Sequence, residues 1–267
     1  MRAVLASLGL GLAVDPAPAQ QPVDVELVLA VDVSLSMSHE ELEIQRRGYA
    51  GALVHDDVVA AIQGGLHGRI AIAYFEWAGM GSQRLVLPWT MISSLDEARQ
   101  VAGHLTADPP SSARRTSISG ALDFALTLFQ ESSFRGLRRV VDISGDGPNN
   151  QGLPVDIARD ALVSRGITIN GLPLMTNGGL TTRFDVRDLD AYYSECVIGG
   201  PGAFMLPVDD WDQFAEAVRR KLVIELAGTG RSQTANSPQT LQVQASDYDC
   251  MVGEKMWDDR SWRWPAP

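Results

Sequence analysis

Lysine is almost missing from this sequence. Lys221 and Lys255 are the two lysines in 267 residues, and the other basic side chains are arginines. No G-x-x-x-x-G-K-[ST] segment occurs, which excludes a P-loop nucleotide site. Schiff-base chemistry would rest on one of two lysines without an evident supporting site. Positive charge is scarce as a whole: 22 basic against 33 acidic residues give a formal net charge of −11 at pH 7. Nucleic-acid affinity comes mainly from basic patches that neutralise phosphates, so a nucleic-acid partner is not expected. There are two cysteines and no C-x-x-C, which leaves a zinc ribbon or a thioredoxin-type centre unsupported. Four histidines (His39, His55, His67 and His104) are scattered without ligand spacing and read as surface or capping residues. A G-x-S-x-G elbow and a G-x-G-x-x-G after a strand are both lacking, which counts against an α/β hydrolase and a dinucleotide fold. The longest apolar stretch, Ala3 to Val14, is shorter than the ~20 residues that span a bilayer.

What remains is globular. A hydrophobic share of 45% and a charged share of 21% exclude wholesale disorder, collagen and coiled coil. Met1-Arg2, an apolar run to Val14 and Ala17-Pro18-Ala19 have the layout of a secretory signal peptide over residues 1–19. That predicts a periplasmic or secreted protein with no transmembrane segment in the mature chain. Two cysteines suit an oxidising compartment. A Cys196–Cys250 bridge would tie the C-terminal tail to the body and leave the last residues near the Gly199–Gly202 turn. The alternative is a pair of unlinked buried cysteines.

Hydrophobic patterning gives the elements. Val25–Val33 is almost continuously apolar, the mark of a strand buried on both faces. Ser38 and Glu41 form a capping-box pattern for a helix to about Asp57, continuing with a break until Gly64-Gly65. Arg69–Phe75 and Arg84–Leu87 read as paired strands, and Ser94 caps a helix to Leu105. Ile118, Ala121, Leu122, Ala125, Leu126 and Phe129 share a helical face. A strand over Leu137–Ile143, a helix over Ala158–Arg165 starting near Pro154, and a strand over Ile167–Leu174 follow. A short helix at Leu189–Tyr193, a short strand at Ala203–Leu206 and a last helix from Asp210 to Leu226 complete the pattern. Strand and helix alternate, which predicts an α/β fold: a doubly wound, mostly parallel central sheet with helices on both faces. Ligands in such folds sit beyond the carboxyl ends of the strands.

The first such end reads Asp32-Val-Ser-Leu-Ser36. Spacing of i, i+2, i+4 puts a carboxylate and two hydroxyls on one side of an extended segment. Oxygen donors of this kind suit a hard cation, and Mg²⁺ takes six at ~2.1 Å, so further ligands must come from elsewhere. Thr116, at a loop-to-helix junction, and Asp146, in Ile143-Ser-Gly-Asp-Gly147, stand at the right topological places. An Asp or Ser after a strand is otherwise more often an N-cap than a ligand.

With these residues in order, the chain resembles the von Willebrand factor A domain over about Val23 to Leu226. The resemblance implies a metal-ion-dependent adhesion site built from Asp32, Ser34, Ser36, Thr116 and Asp146. It implies Mg²⁺ or Mn²⁺ as the ion and a protein partner presenting a carboxylate. Phe75-Glu-Trp-Ala-Gly79 and Cys196-Val-Ile-Gly-Gly-Pro-Gly-Ala-Phe204 are similar, more narrowly, to a bacterial exported A-domain family of unknown function. Two departures stand out: Arg114-Arg115 where small residues are common, and Ser-Gly-Asp-Gly in place of Thr-Asp-Gly. The expected organisation is a signal peptide at 1–19, an A-like domain at 23–227 and a docked tail at 228–267.

A binding module without enzymatic activity is therefore expected. The alternatives are a metal-dependent hydrolase acting on a phosphoester, or an ion that only braces the loops. A haloacid-dehalogenase-type phosphatase would need a second Asp where Ser34 stands. Arg114 and Arg115 either flank the cation and favour an acidic partner or are solvated loop charges. Glu76 is either anchored by an arginine or exposed, and an inward Asp142 would need a partner. Trp257, Trp262 and Trp264 predict a docked tail, because that much apolar surface is unfavourable in water at ~25 cal/mol per Å².

Overall fold

The computed structural model describes residues 20–176, 186–227 and 248–261. Residues 1–19, expected to be a signal peptide, the expected linker Gly228–Pro238, Trp262 and Trp264 lie outside the described residues. The central strand β1 (Gln21–Asp32) is hydrogen-bonded to β2 (Ile70–Trp77) on one side and β4 (Phe134–Gly145) on the other, both parallel. β5 (Ile167–Pro173) continues the parallel order, and β3 (Gln83–Ile92) closes the other edge antiparallel to β2. The sheet order is β3-β2-β1-β4-β5.

Helices cover both faces. α1 (His39–Leu53), α2 (Asp56–Gln63), α3 (Leu95–Leu105) and α7 (Phe214–Ala227) enclose Val25, Leu27, Leu29 and Val31 of β1. α4 (Ile118–Gln130) and α5 (Val155–Val163) lie over Val28 and Ala30 on the opposite face. The alternation along β1 follows from the two-residue period of a strand, and burial on both sides explains the unbroken apolar run. α1 starts with the expected capping box: Glu41 N–H donates to Ser38 Oγ at 3.3 Å, and Ser38 N–H donates to Glu41 Oε2 at 2.7 Å. The break before α2 falls at His55, whose Nδ1 caps that helix by accepting from Asp57 N–H.

Three expectations are corrected. Ala203–Leu206 is not a strand; Met205 makes a single bridge to Gly171 on β5. Asp210 caps a short 3-10 turn, Trp211–Gln213, which runs into α7. The expected short helix is α6 (Leu189–Tyr192), continued by a π-turn (Tyr193–Val197), and α7 is not the last helix, because α8 (Val252–Ser261) follows it.

Two buried charge clusters pin the layers. Arg46 of α1 pairs with Glu76 of β2 at 2.6 Å, and Arg84 of β3 reaches the other Glu76 oxygen at 2.9 Å. Glu76 is thus anchored and not exposed. On β4, Asp142 meets Lys221 of α7 at 2.7 Å, and Lys221 also bonds Glu225 at 2.5 Å. Burial works against the Lys221 charge, but the two carboxylates outweigh it and hold its pKa above the ordinary lysine range. Burial and then the Glu225 charge push the Asp142 carboxyl up to about 7, with Lys221 pulling the other way. Removing one member of such a cluster leaves an uncompensated buried charge. Lys221→Met should therefore lower stability by about 3–5 kcal/mol in urea unfolding near neutral pH; an unchanged midpoint would show that the cluster is not holding α7 to the sheet.

Candidate metal centre

Asp32 is the last residue of β1, where the carboxyl end of the sheet meets the loops. Its neighbours across the strands are Trp77 at the end of β2 and, one residue past the Val31–Ser144 pair, Gly145 at the end of β4. Asp32 Oδ1 accepts from Ser34 N–H at 2.7 Å, which turns the chain so that the two serines follow. Ser34 Oγ and Ser36 Oγ are 2.8 Å apart. Ser36 Oγ donates to Asp146 Oδ1 at 2.9 Å, and Ser34 Oγ reaches the same oxygen at 3.5 Å. Side chains 110 and 112 residues apart in sequence thus meet at one point.

Thr116 is not among these four hydrogen-bonded side chains. It is buried on the adjacent loop, where Ala113 bridges Ser34. Its N–H donates to Asn150 Oδ1 at 3.0 Å, and Asn150 N–H donates back to Thr116 O at 2.8 Å. The loop carrying Thr116 is thereby zipped to the loop carrying Asp146. Thr116 does not open α4 itself; Ser117 is the N-cap, accepting from Gly120 N–H. Arg115 has φ +76°, a left-handed conformation that costs a non-glycine residue about 1–2 kcal/mol. Arg114 is exposed, whereas the Arg115 guanidinium lies 3.3 Å from the Trp257 ring centroid.

The electrostatics favour a cation. Asp32 is fully buried, and its Oδ2 has no hydrogen-bond partner. Burial, then the Asp146 charge, push the Asp32 carboxyl well above its usual range, against the pull of the Ser34 and Asp146 backbone bonds. Two carboxylates and neighbouring hydroxyls form an all-oxygen donor set, the kind that hard divalent cations take. Among the described residues no three His, Cys, Asp or Glu side chains gather to hold a metal; at this point the donors are two carboxylates and hydroxyls. The residues present fit Mg²⁺ or Mn²⁺: Asp32, Ser34, Ser36 and Asp146 would hold the ion, with Thr116 on the neighbouring loop.

Sequence reasoning missed the floor of this centre. A Cβ at Gly145 would stand 2.8 Å from the Tyr193 hydroxyl and 2.9 Å from Asp32 Oδ2. The glycine that departs from the expected Thr-Asp-Gly pattern is what allows β4 to pass the carboxylate. Tyr193 sits in the π-turn, fully buried beneath the site. The second of two adjacent tyrosines at the end of a short helix carries no sequence signal of such a role, although π-turns are frequent at functional sites.

The fold is von Willebrand factor A-like, a central sheet flanked by helices on both faces. Residues 22–230 match the model of the family described as "Protein of unknown function (DUF1194)", and the chain belongs to that family. No curated protein matches the sequence. Among solved structures, proximal thread matrix protein 1 (PTMP1) from the mussel byssus is similar in fold, with 15% identity and a TM-score of 0.55 over 78% of this chain. One structure of that protein has a zinc-occupied MIDAS motif. The pilus adhesin SpaC from Lactobacillus rhamnosus GG matches 77% of this chain with 11% identity and a TM-score of 0.51. The chain spans about half of the mussel protein, at 49%, and 30% of the adhesin.

The crowding of Asp32 and Asp146 makes a testable prediction. Asp32→Asn keeps an acceptor for Ser34 N–H and removes one of two repelling charges. The metal-free protein should melt about 2–4 °C higher, as expected for ~1 kcal/mol in a domain of this size. The stabilisation that Mg²⁺ gives the native protein should disappear. A lower metal-free melting temperature would show that the Asp32 charge is satisfied within the protein.

Proposed function

We propose that this chain is an exported protein-binding module whose recognition centre is a divalent cation held by Asp32, Ser34, Ser36, Thr116 and Asp146. The observation that carries the reading is the meeting of Asp32, Ser34, Ser36 and Asp146 at the carboxyl end of the sheet, around a buried carboxylate oxygen without a partner. When bound, the ion supplies positive charge at which a carboxylate oxygen of the partner completes the coordination. Asp32 and Asp146 hold the ion's charge, while the serine hydroxyls set its place without neutralising it fully.

The surroundings support a face made for a partner. Leu35 stands between the two serines and is 56% exposed; Met80 and Leu153 are each 63% exposed. Met80 N–H donates to Gln151 Oε1 at 3.0 Å, which places it beside the loop that carries Leu153. Arg114, exposed next to these loops, adds positive charge on a chain of net charge −11. Apolar groups around a polar anchor suit a protein segment in which an acidic residue is flanked by apolar ones. Export is supported by the Cys196–Cys250 disulfide, which belongs to oxidising compartments. No helix among the described residues is long and apolar enough to cross a membrane. We read the module as non-enzymatic; a hydrolase acting on phosphoesters and a purely structural ion are the competing functions.

The test is recovery of proteins from periplasmic extract on the immobilised chain. One partner should be retained with Mg²⁺, released by chelator and absent with Asp32→Ala. Replacing Arg114 by Ser should weaken that retention and leave Mn²⁺ affinity unchanged. Chelator-sensitive turnover of a phosphoester by the purified protein would replace the binding reading with the hydrolase one.

A further inference from the structure

Segment 248–261 touches the supports of the metal centre at three separate places. Cys250 is bonded to Cys196 in the π-turn whose Tyr193 lies beneath Asp32. Glu254 Oε1 accepts from Asn149 Nδ2 at 2.6 Å, three residues beyond Asp146. Trp257 covers the guanidinium of Arg115, directly before Thr116. The segment lies outside the residues 22–230 that match the family. The last residues, expected near the Gly199–Gly202 turn, lie outside the described residues, whereas segment 248–261 packs on the Pro148–Asn149 loop. The bridge fixes only its start, and the helix that follows climbs toward the loops.

The contacts are intimate. Asn149 is fully buried and held from several sides: its Oδ1 accepts from Ser119 N–H, its N–H donates to the Tyr192 hydroxyl, and its Nδ2 also donates to Leu153 O. A Cβ at Gly253 would lie 2.0 Å from Asn149 O, so α8 rests its backbone directly on this loop. Arg115 holds its left-handed conformation with its side chain stacked on Trp257. Cation–π contact of this kind favours one placement of the guanidinium and, with it, of the backbone that presents Thr116.

We propose that α8 is a strap that shapes the cation site, with Glu254 and Trp257 acting as positioning residues through Asn149 and Arg115 and with Cys196–Cys250 as its anchor. The inference rests on the cation-binding reading above. If the strap and the ion favour the same loop arrangement, linkage is reciprocal: docking tightens the ion, and the ion tightens docking by the same factor.

Two measurements on the full disulfide-bonded chain test this, with Mn²⁺ as the probe. Gly253→Ala raises helix propensity yet forces α8 off Asn149, so it should weaken Mn²⁺ binding about fivefold, the low end of ordinary coupling between sites. Trp257→Ala should do the same, and Trp257→Phe should restore most of the affinity. In the unaltered protein, Mn²⁺ should slow amide hydrogen exchange in residues 252–261, and this slowing should vanish in Asp32→Ala. The exchange measurement needs no strap variant, so it stands even if Gly253→Ala fails to fold. Unchanged Mn²⁺ affinity in folded strap variants, or exchange in α8 indifferent to Mn²⁺, would overturn the strap alone. Failure of the unaltered protein to bind Mn²⁺ would overturn the cation reading and the strap with it.

Discussion

A carboxylate stands at the buried end of the central strand, and much of the surrounding architecture answers to it. Asp32 falls on the face of β1 that points to α4 and α5, among Trp77, Gly145 and Tyr193. A charge placed there is expensive unless hydrogen bonds or a counter-charge meet it. Ser34 N–H supplies one bond, and a second carboxylate on the neighbouring loop makes the deficit worse. Departures of this kind from a well-satisfied interior are expected at functional sites. The candidate centre is therefore a constraint on the fold as much as a product of it.

The fold was largely legible in the sequence because its periods are clean. β1 is apolar without interruption since it is covered on both faces, and α4 shows its inward stripe at helical spacing. Short polar caps also spoke locally, as Ser38 with Glu41 did. Ala203–Leu206 misled because an apolar tetrapeptide has no period long enough to separate a strand from a bridged loop. The candidate site was readable as far as order along the chain allowed: the structure brings Asp32, Ser34, Ser36 and Asp146 together. What holds Thr116 near them was not readable: its two bonds with Asn150, one to the Asn150 side chain and one between backbone groups, join loops 34 residues apart, and an asparagine in a loop does not announce its distant partner. Glu76 and Asp142 could be marked as needing partners, but Arg46 and Lys221 come from other layers and only the packing selects them.

The tail shows how one covalent bond redirects a segment. The disulfide closes a span of 54 residues onto the π-turn under the site, and the first helix after it meets the loops of Asp146 and Thr116. Segment 248–261, beyond the residues that match the family, thus contacts both loops that flank the candidate centre. The exposed Leu35, Met80 and Arg114 belong to this same end of the molecule, while Arg115 is taken up by Trp257. Recognition on this face would then use Arg114 in preference to Arg115, a division that the adjacent pair in the sequence does not suggest.

The central claim is that Asp32, Ser34, Ser36 and Asp146 gather around a divalent cation. Crystals grown with Mn²⁺ and measured for anomalous scattering test it most directly. The account predicts one strong peak coordinated by Ser34 Oγ, Ser36 Oγ and an oxygen of Asp146, with Asp32 oriented toward it. A structure at saturating Mn²⁺ with no peak at that point would contradict it.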